Sequence, residues 1–571
     1  MRGRDRPGRA RGEAWGGAWV PCLGVGLGAA ACGWFVLLAG GADARGGLPL
    51  DDAWIHQVYG RAVAAGGMLA FNDGVPSTGA TSPLWAYLLG GIHLLASGPG
   101  TVLAWTRGLG LLLHALAAAL VARVVLRSSG SRAVAGVAGL LLGACPPLAV
   151  AAVSGMEVPL ACALLAAALD RHLADRPWAT GLFLGLAGLA RPELGLAGAL
   201  FVADAGGRAA RGKGRAGDVL RMLLPMVLLG GAFVAWNLWA TGRPLTATFY
   251  RKVNAGEILP LLDRLATGAG MLLAEPPLLP AAFVLALAAG VVARRRLPRG
   301  TGLALAAGGA HAAASVAMVA PLDAESFYFL RYLLPAVPLL WVGAVLPVAA
   351  WVAGEGARDA SPVPPGARQD VEATGPMGQS RVPSRRRMPA WAPAVLAGAL
   401  AAFTGAMAMA GLPGWALRHA AWCRNISDVQ VRLGRLLDGR LPPDAVVAST
   451  DAGAVRYFGR RHTVDLMGLN TPRPGEGGDP GPRVDAAVFM PAWMAVQRSP
   501  RLELLAQAKA DGYAISTNPA FALQVAMACR TGDGEAEGGL DLPAAILGEE
   551  LTLPMRCHDA ATLARWKGEA P

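Results

Sequence analysis

Charged residues are scarce in this chain. Of 571 residues, 16% are charged and 54% are hydrophobic, and the mean hydropathy is +0.41. A soluble chain carries nearer ~25% charged residues, so an ordinary cytosolic enzyme is excluded. Polar intervals are also short before about residue 412, because apolar runs of roughly 18 residues or more recur from residue 19 onwards. This pattern is typical of a helical membrane protein.

Cysteine is sparse as well, with seven residues in the whole chain. Four of them lie in apolar stretches and are interpreted as small core residues. The other three, Cys423, Cys529 and Cys557, lie in the polar C-terminal part. In an oxidising compartment they allow one disulfide and one free thiol, and the pairing stays open. No spacing resembles a zinc site.

A nucleotide-binding signature is missing too. The sequence has no GxxxxGK[ST] phosphate loop and no dinucleotide-binding glycine fingerprint of the strand–turn–helix kind. The chain is nevertheless basic, with 51 Lys+Arg against 39 Asp+Glu and a net charge of +12. Most of the excess lies in short clusters between apolar runs. It therefore indicates membrane topology and not a nucleic-acid partner.

The basic clusters predict the topology. They lie near residues 123–132, 171–176, 208–215, 294–299 and 385–387. Placing every cluster in the cytoplasm predicts about eleven transmembrane helices, with the basic N-terminus (1–17) inside and the C-terminus outside. The stretch 82–97 is short for a span and is interpreted as interfacial or re-entrant. A second solution makes it a crossing and merges 178–206 into one helix.

The same patterns divide the chain. Residues 18–354 are predicted as a transmembrane module, whose first external loop is 41–100. Residues 355–388, rich in Pro, Gly, Ser and Arg, are predicted as a disordered cytoplasmic linker. A last transmembrane helix is predicted at 389–412. Residues 413–571 have an ordinary composition with strand-like and helix-like stretches, which predicts a periplasmic or extracellular α/β domain.

The strongest local signal is the acidic pair Asp51-Asp52, directly outside the first predicted helix. Carboxylates at a membrane boundary are costly unless they are solvated or functional. Such a group can act as a general base toward a sugar hydroxyl or hold a metal ion. Either residue can instead cap the helix that begins near Ala53. The pair alone leaves these roles open.

The residues that follow the pair form a longer pattern, DDAWIHQVYGRA, then FNDG at 71–74 and TSPLW at 81–85. This pattern resembles the first external loop of GT-C membrane glycosyltransferases, and within them the bacterial terminal arabinofuranosyltransferases. The resemblance implies sugar transfer from a polyprenyl-phosphate donor outside the cytoplasmic membrane, with an aspartate of the pair as catalytic base. Five residues of the loop are assigned to acceptor binding or to shaping the loop: His56, Tyr59, Arg61, Asn72 and Trp85.

Further motifs follow in the family's order. They are SGME at 154–157, GLAGLARPE at 185–193, GRPLTATFYRK at 242–252, RYLLP at 331–335, and DAGAVRYF with VDLMGL at 451–458 and 464–469. The resemblance implies a donor or phosphate site that contains Glu157, Arg191, Glu193, Tyr250, Lys252 and Arg331. Arginine suits phosphate because its planar fork donates paired, charge-assisted hydrogen bonds.

Each donor-site residue also has a structural alternative. Arg191 can pair with Glu157 or Glu193, Lys252 and Arg331 can extend to the membrane interface, and Tyr250 can belong to an aromatic belt. The sequence departs from the family pattern at Val58, Thr78, Ala80 and Ala247, where the family has arginine, glutamate, tyrosine and asparagine. Those positions could line a sugar pocket, so the resemblance implies the reaction class and leaves the sugar open.

Together these observations predict a multi-pass glycosyltransferase of the bacterial cytoplasmic membrane, with its active site and C-terminal domain facing the exterior. Its partners are a polyprenyl-phosphate sugar, an envelope glycan or lipid acceptor and the bilayer. Asp51 is predicted to deprotonate the acceptor hydroxyl, and a single displacement inverts the anomeric centre. Some GT-C enzymes use a divalent cation, which Asp51 and Asp52 could help to hold. The alternatives are a non-catalytic scaffold for envelope assembly and a lipid-linked glycan flippase.

Overall fold

In a computed structural model, the chain is mostly helical and ends in a mixed β-sheet. The structure describes residues 10–254, 298–318, 330–359, 392–473, 481–491, 501–510, 523–531, 537–543 and 550–569. The described helices of the first half are α1 Ala10–Ala39, α2 Gly41–Gly46, α3 Asp51–Gly66, α4 Pro83–Leu95, α5 Pro99–Ser129, α6 Arg132–Gly143, α7 Pro146–Val153, α8 Val158–Leu173, α9 Pro177–Ala190, α10 Gly195–Ala210, α11 Ala216–Thr241 and α12 Ala247–Asn254. The later ones are α13 Thr301–Met318, α14 Val337–Asp359, α15 Ala392–Ile426, α16 Arg432–Arg440, α17 Ala452–Gly459 and α18 Ala560–Lys567.

Within these described ranges, three helices are long and apolar enough to cross a membrane. They are the Cys22–Ala39 part of α1, all of α5 and all of α11. Helices α6 and α7, bent by 60°, add a fourth if the pair forms one span. This agrees with the predicted multi-pass helical architecture, whereas the number of eleven crossings and the orientation stay predictions. The stretch 82–97 forms the 13-residue helix α4, which is shorter than a span.

Two predicted boundaries differ from the helices of the structure. Helix α14 continues to Asp359, so the start of the predicted linker (355–359) is helical, and the rest of that linker lies outside the described residues. Helix α15 continues through Pro413 to Ile426, beyond the end predicted at residue 412. The change in composition at residue 413 therefore does not end the helix.

Helix α11 shows the surface that such a span presents. Only 11% of its apolar window is buried inside the molecule. Its exposed large side chains include Leu220, Leu224, Val227, Leu228 and Trp239. A helix that is apolar and unburied over this length indicates a lipid environment, because water would not tolerate so large an apolar patch.

Helix α8 separates two charged ends of the bundle. Its 16 residues span about 24 Å at 1.5 Å per residue. Near its C-terminal end, Asp170 pairs with Arg123 at 3.4 Å, with Arg127 at 3.3 Å and with the neighbouring Arg171. Glu157, which precedes its first residue, belongs to a different cluster. Two of the basic clusters that predict the topology thus meet at one end of α8, and the family-like motif SGME lies at the other.

The C-terminal part is built on a seven-stranded sheet. Its strands are β3 Val446–Ser449, β4 His462–Asp465, β5 Ala486–Phe489, β6 Leu502–Lys509, β7 Leu523–Arg530, β8 Glu537–Pro543 and β9 Glu550–His558, and the hairpin β1 Ala70–Asn72 with β2 Val75–Pro76 lies in the first external loop. The strand order is β4-β3-β5-β7-β9-β8, with β6 also paired to β7. Strand β3 is parallel to β4 and β5, and α17 provides the β3–β4 crossover. We call residues 427–569 the sheet domain.

A disulfide joins two neighbouring strands of this domain. Cys529 of β7 and Cys557 of β9 stand directly opposite each other, with 4.4 Å between their Cα atoms, and their sulfurs are bonded. The structure thereby selects one of the pairings that the sequence leaves open. Cys423 stays a free, buried thiol within α15.

Replacing both Cys529 and Cys557 with serine is expected to lower the free energy of unfolding of the sheet domain by about 3 kcal/mol. The bond closes a loop of 28 residues, and closing a loop of that length removes chain entropy from the unfolded state. Thermal unfolding of the full chain, with and without a reductant, measures the effect. Cys423→Ser is the control and should keep the reductant sensitivity of the wild type. Equal melting temperatures for the wild type and the double variant would contradict the prediction.

Candidate active site

One open cavity, of about 1070 Å³ including the solvent space at its mouth, collects nearly half of the site residues that the sequence singles out. It lies where the first external loop, the N-terminal side of α8 and the sheet domain meet. Six of the predicted site residues line it: Asp52, His56, Glu157, Arg191, Glu193 and Arg331. Their segments are far apart in the chain, so only the fold brings them together.

The cavity's most accessible charged group is the Asp52 carboxylate. Asp52 lies in the first turn of α3, and its side chain is 44% exposed. Its Oδ2 lies 2.6 Å from Nη1 of Arg331, whose side chain is only 7% exposed. Arg331 also donates from Nη2 to the hydroxyl of Tyr332, at 3.0 Å. A ligand in the cavity can therefore reach the carboxylate directly and finds the guanidinium group already oriented behind it.

Arg191 is held between two carboxylates. It follows α9, and it donates from Nη1 to Oε1 of Glu157 at 2.7 Å and pairs through Nη2 with Oε1 of Glu193 at 2.6 Å. Its guanidinium lies 5.0 Å from the ring centre of Tyr332, and that of Arg331 lies 4.9 Å from the same ring. Cation–π contacts of this kind favour a cation over the ring face. Both ion pairs considered for Arg191, with Glu157 and with Glu193, are therefore present. The ring of Tyr332 lies between the guanidinium groups of Arg191 and Arg331.

His56 and Glu157 complete the charged wall. Nε2 of His56 lies 3.2 Å from Oε2 of Glu157. Burial alone would raise the pKa of Glu157, but the hydrogen bond from His56 and the charge of Arg191 lower it to about 2. Glu157 is therefore a carboxylate at all physiological pH values. Among the residues that the structure describes, no group of three His, Cys, Asp or Glu side chains could hold a metal ion.

Asp51 is directed to a different partner. Its two carboxylate oxygens accept hydrogen bonds from the main-chain N–H groups of Gly453 and Ala454, each at 2.7 Å. These groups begin α17 of the sheet domain, and a helix N-terminus favours a negative charge. Position 453 requires glycine, since a Cβ atom there would lie 2.2 Å from the Asp51 carbonyl oxygen.

The sequence left open whether one of the two aspartates caps α3. The residue before α3 is Leu50, and no side chain caps α3, so neither aspartate caps its own helix. Asp51 instead stabilises the N-terminus of a helix about 400 residues later in the chain. It does not line the cavity, and Asp52 is the carboxylate of the pair that does.

Three of the loop residues join the first external loop to the sheet domain. They donate hydrogen bonds across the junction: Tyr59 to Oδ1 of Asn470 (3.1 Å), Arg61 to the carbonyl of Tyr457 (2.8 Å) and Asn72 to the carbonyl of Thr463 (2.8 Å). The main-chain N–H of Thr463 donates back to Asn72 at 2.9 Å. These residues do not line the cavity. Their contacts favour shaping of the loop over binding of an acceptor.

The other predicted site residues lie beside the cavity or outside the description. Nε1 of the buried Trp85 donates to the carbonyl of Gly155 at 3.0 Å and so fixes the SGME turn. Tyr250 lies next to Arg243, whose guanidinium is 5.4 Å from its ring centre, and is not a lining residue. The side chain of Lys252 lies outside the described residues.

Of the positions that depart from the family pattern, one lines the cavity and others lie beside it. Ala80 lines the cavity. The carbonyl of Thr78 accepts a hydrogen bond from the main-chain N–H of Ala247, at 3.3 Å. Neither Thr78 nor Ala247 is a lining residue, so this contact holds two lining segments together.

Tyr332 and Asn470 are two of the lining residues that sequence reasoning did not assign to the site. Tyr332 follows Arg331 within the RYLLP motif, and an aromatic ring beside a buried arginine was the signal that could have identified it. Asn470 directly follows the VDLMGL motif. No local pattern distinguishes that asparagine from an ordinary turn residue.

A second acidic residue lies close to the Asp51 contact. Oδ2 of Asp451 accepts hydrogen bonds from Nε2 of Gln430 at 2.6 Å and from Nε2 of Gln524 at 3.0 Å. Burial raises the pKa of Asp51 well above its usual value, and the negative charge of Asp451 raises it further. Burial also raises the pKa of Asp451 to about 7. Acidic groups with raised pKa values therefore lie where the sheet domain contacts α3.

We expect Asp451 to contribute a fall in the thermal stability of the chain as the pH rises from about 5 to about 7. An acid whose pKa is raised by folding binds its proton more tightly in the folded state, so stability falls as pH rises from the unfolded to the folded pKa. Melting temperatures measured across this range test the prediction. Asp451→Asn should flatten the curve, while the exposed control Asp444→Asn should keep its wild-type shape. An unchanged slope in Asp451→Asn would be the contrary result.

Comparisons with known proteins give a family model and two solved structures. Residues 424–532 match a family described as a domain of unknown function, DUF8728. No curated protein matches the sequence. The crystal structure of ArnT from Cupriavidus metallidurans in the apo state is similar over 83% of this chain and 93% of that one, at 13% identity and a TM-score of 0.48. ArnT of the same organism bound to undecaprenyl phosphate is similar over 86% and 96%, at 14% identity and a TM-score of 0.49. Because both TM-scores lie below 0.5, the functional argument rests on the residues of the cavity.

Proposed function

We propose that this chain is a membrane glycosyltransferase of the GT-C type. It transfers a sugar from a polyprenyl-phosphate donor to an envelope glycan or lipid acceptor on the external face of the bacterial cytoplasmic membrane. One observation carries the proposal: six sequence segments that resemble the family, spread over about 420 residues, all contribute to the lining of a single cavity. A scaffold would not need these segments to converge on an accessible carboxylate.

Asp52 is the proposed general base. It accepts the proton of an acceptor hydroxyl while the hydroxyl oxygen forms a bond to the anomeric carbon of the sugar. The bond between that carbon and the phosphate oxygen breaks, and its electron pair leaves with the polyprenyl phosphate. One displacement inverts the anomeric centre. The exposed position of Asp52 supports this role, since a base must come within hydrogen-bond reach of the proton that it removes.

Arg331 is the proposed partner of the leaving phosphate. It is buried, lies beside Asp52 and is oriented by Tyr332, and a preorganised cation stabilises charge that develops in the transition state. A donor phosphate competes with Asp52 for this guanidinium group. Donor binding therefore releases the carboxylate to act as a base, which couples donor binding to activation of the acceptor.

Arg191 has a less direct role in this proposal. Two carboxylates, Glu157 and Glu193, already neutralise it. A phosphate would have to displace one of them, which is costly for buried charges. Arg191 therefore holds the SGME turn and the turn after α9 together, and it adds positive charge behind Tyr332.

Sugar transfer by the purified full chain tests the proposal. A panel of radiolabelled polyprenyl-phosphate sugars is offered together with cell-envelope glycan, and labelled product is measured. Transfer from a donor without added nucleotide sugar is the expected result. No transfer from any donor would overturn the proposal. Movement of labelled lipid across a vesicle membrane without sugar transfer would favour the flippase, and neither activity would favour the scaffold.

A further inference from the structure

The sheet domain supplies part of the cavity wall. Leu469 and Asn470, which follow strand β4, line the cavity together with residues 79–82 of the first external loop. The helical part of the chain therefore does not enclose the proposed active site by itself. The turn 466–470 also lies within the segment that matches the domain of unknown function.

The turn is held rigidly by one buried carboxylate. Asp465 accepts hydrogen bonds from the main-chain N–H groups of Met467 (2.9 Å), Leu469 (3.1 Å) and Asn470 (2.9 Å), and from Nδ2 of Asn470 (2.8 Å). Gly468 has a φ of +70°, in the left-handed region that glycine adopts without strain. The direction of the Leu469 side chain is therefore set by the main chain of the turn and does not depend on a ligand.

The turn is also fixed against the first external loop. The hydroxyl of Ser77 donates to the carbonyl of Asn470 at 2.7 Å. Gly79 leaves no room for a side chain, because a Cβ atom there would lie 2.5 Å from the carbonyl oxygen of Leu469 and from the hydroxyl of Tyr59. The two segments thus form one continuous wall, on which Ala80 and Leu469 are apolar lining residues.

The chemistry of the turn indicates which part of a donor it contacts. Residues 466–470 read Leu-Met-Gly-Leu-Asn and carry no charge of their own. Arg251 and Arg473 lie against Gly468, and Arg473 donates to the carbonyl of Met467 at 3.2 Å, but neither arginine lines the cavity. The part of the turn that faces the cavity, Leu469 and Asn470, therefore offers no cation to the phosphate. The cationic lining residues, Arg191 and Arg331, come from the helical part of the chain. An uncharged, rigid wall with a half-buried leucine fits the sugar of the donor. Contact between the leucine and the sugar limits the size of sugar that the cavity accepts.

We propose that the turn 466–470 of the sheet domain is the wall that determines sugar specificity, with Leu469 as its main contact. This inference rests on the proposed glycosyltransferase function and deepens it. It gives the matched domain of unknown function a role in the active site. A pentose and a hexose donor differ by about one carbon with its hydroxyl group, and a pocket contact of that size changes selectivity by roughly tenfold to 200-fold.

Two variants of the full chain test the inference, Leu469→Ala and Leu469→Phe. The value of kcat/KM is measured for a polyprenyl-phosphate pentofuranose and a polyprenyl-phosphate hexopyranose with the same lipid chain and acceptor. Leu469→Ala is expected to shift the hexose-to-pentose ratio upward by about tenfold, and Leu469→Phe to shift it downward. Leu504→Ala is the matched control, because Leu504 is an exposed leucine on strand β6 of the same domain.

The ratio of the two donors does not depend on how much of each variant is folded. Equal ratios in the wild type and both Leu469 variants would overturn the inference while the glycosyltransferase function stands. A shift in acceptor preference at a constant donor ratio would also overturn it, since the turn would then contact the acceptor. A wild-type chain that transfers sugar from neither donor nor from the wider panel would overturn the proposed function itself.

Discussion

Replacing Asp52 with asparagine is expected to lower kcat for sugar transfer by about 10²–10⁴-fold, the usual contribution of a positioned general base. The amide has nearly the same shape as the carboxylate but cannot accept the proton of the acceptor hydroxyl. Because Asp52 is partly exposed and the amide oxygen of asparagine can still accept a hydrogen bond from Arg331, the substitution should change the melting temperature little. Single-turnover transfer by purified protein measures the effect on the chemical step.

Asp51→Asn is the matched comparison, since it makes the same chemical change at the neighbouring residue. Its amide group would direct an N–H₂ at one of the N–H donors of α17, and leaving a buried N–H group without an acceptor costs about 1–3 kcal/mol. The expected effect is a lower melting temperature, with any loss of activity following the loss of folded protein. Full activity in Asp52→Asn, together with an inactive but folded Asp51→Asn, would show that the base is Asp51.

Arg331→Gln is expected to lower kcat/KM for the donor by about 10²–10³-fold, the usual cost of removing one preorganised group that stabilises developing charge. Arg331→Lys should recover part of the rate, because it restores the charge without the planar fork that matches a phosphate. The two variants thereby separate the need for positive charge from the need for paired hydrogen bonds. Initial rates over a range of donor concentrations give kcat and KM separately.

An exposed arginine provides the control for this series. Arg424 pairs with Asp43 at 3.6 Å, and both side chains are about half exposed, so Arg424→Gln should leave kcat/KM unchanged. A purely structural role for Arg331 would reduce the folded fraction while the KM for the donor stayed constant. That pattern, or wild-type kcat/KM in folded Arg331→Gln, would remove Arg331 from phosphate binding.

The membrane class and the chemical character of the site could be predicted from the sequence. Apolar runs and basic clusters are local features that composition alone reveals, and the multi-pass helical architecture follows from them. The motif residues Glu157, Arg191, Glu193 and Arg331 follow from the resemblance to the GT-C pattern, and Arg191 also lies between two apolar runs, where a charge is costly without a partner. The structure brings all four to one cavity.

Contacts between distant segments could not be predicted in this way. The partners of Tyr59, Arg61 and Asn72 lie about 390 to 410 residues later in the chain. Nothing in the composition of either segment specifies such a pairing. The wall formed by Leu469 depends on the same docking of the sheet domain, so it too required the tertiary structure.

The acidic pair shows where the division lies. The sequence by itself determined that two adjacent carboxylates follow the first predicted transmembrane helix and that at least one of them needs a functional or structural partner. Only the tertiary structure decided which aspartate has which partner. Consecutive residues on an α-helix point about 100° apart, so in the first turn of α3 Asp51 reaches the N-terminus of α17 while Asp52 reaches the cavity and Arg331. The sequence determines which chemical groups are present, but the partner that each side chain of a helix reaches depends on the elements packed around that helix.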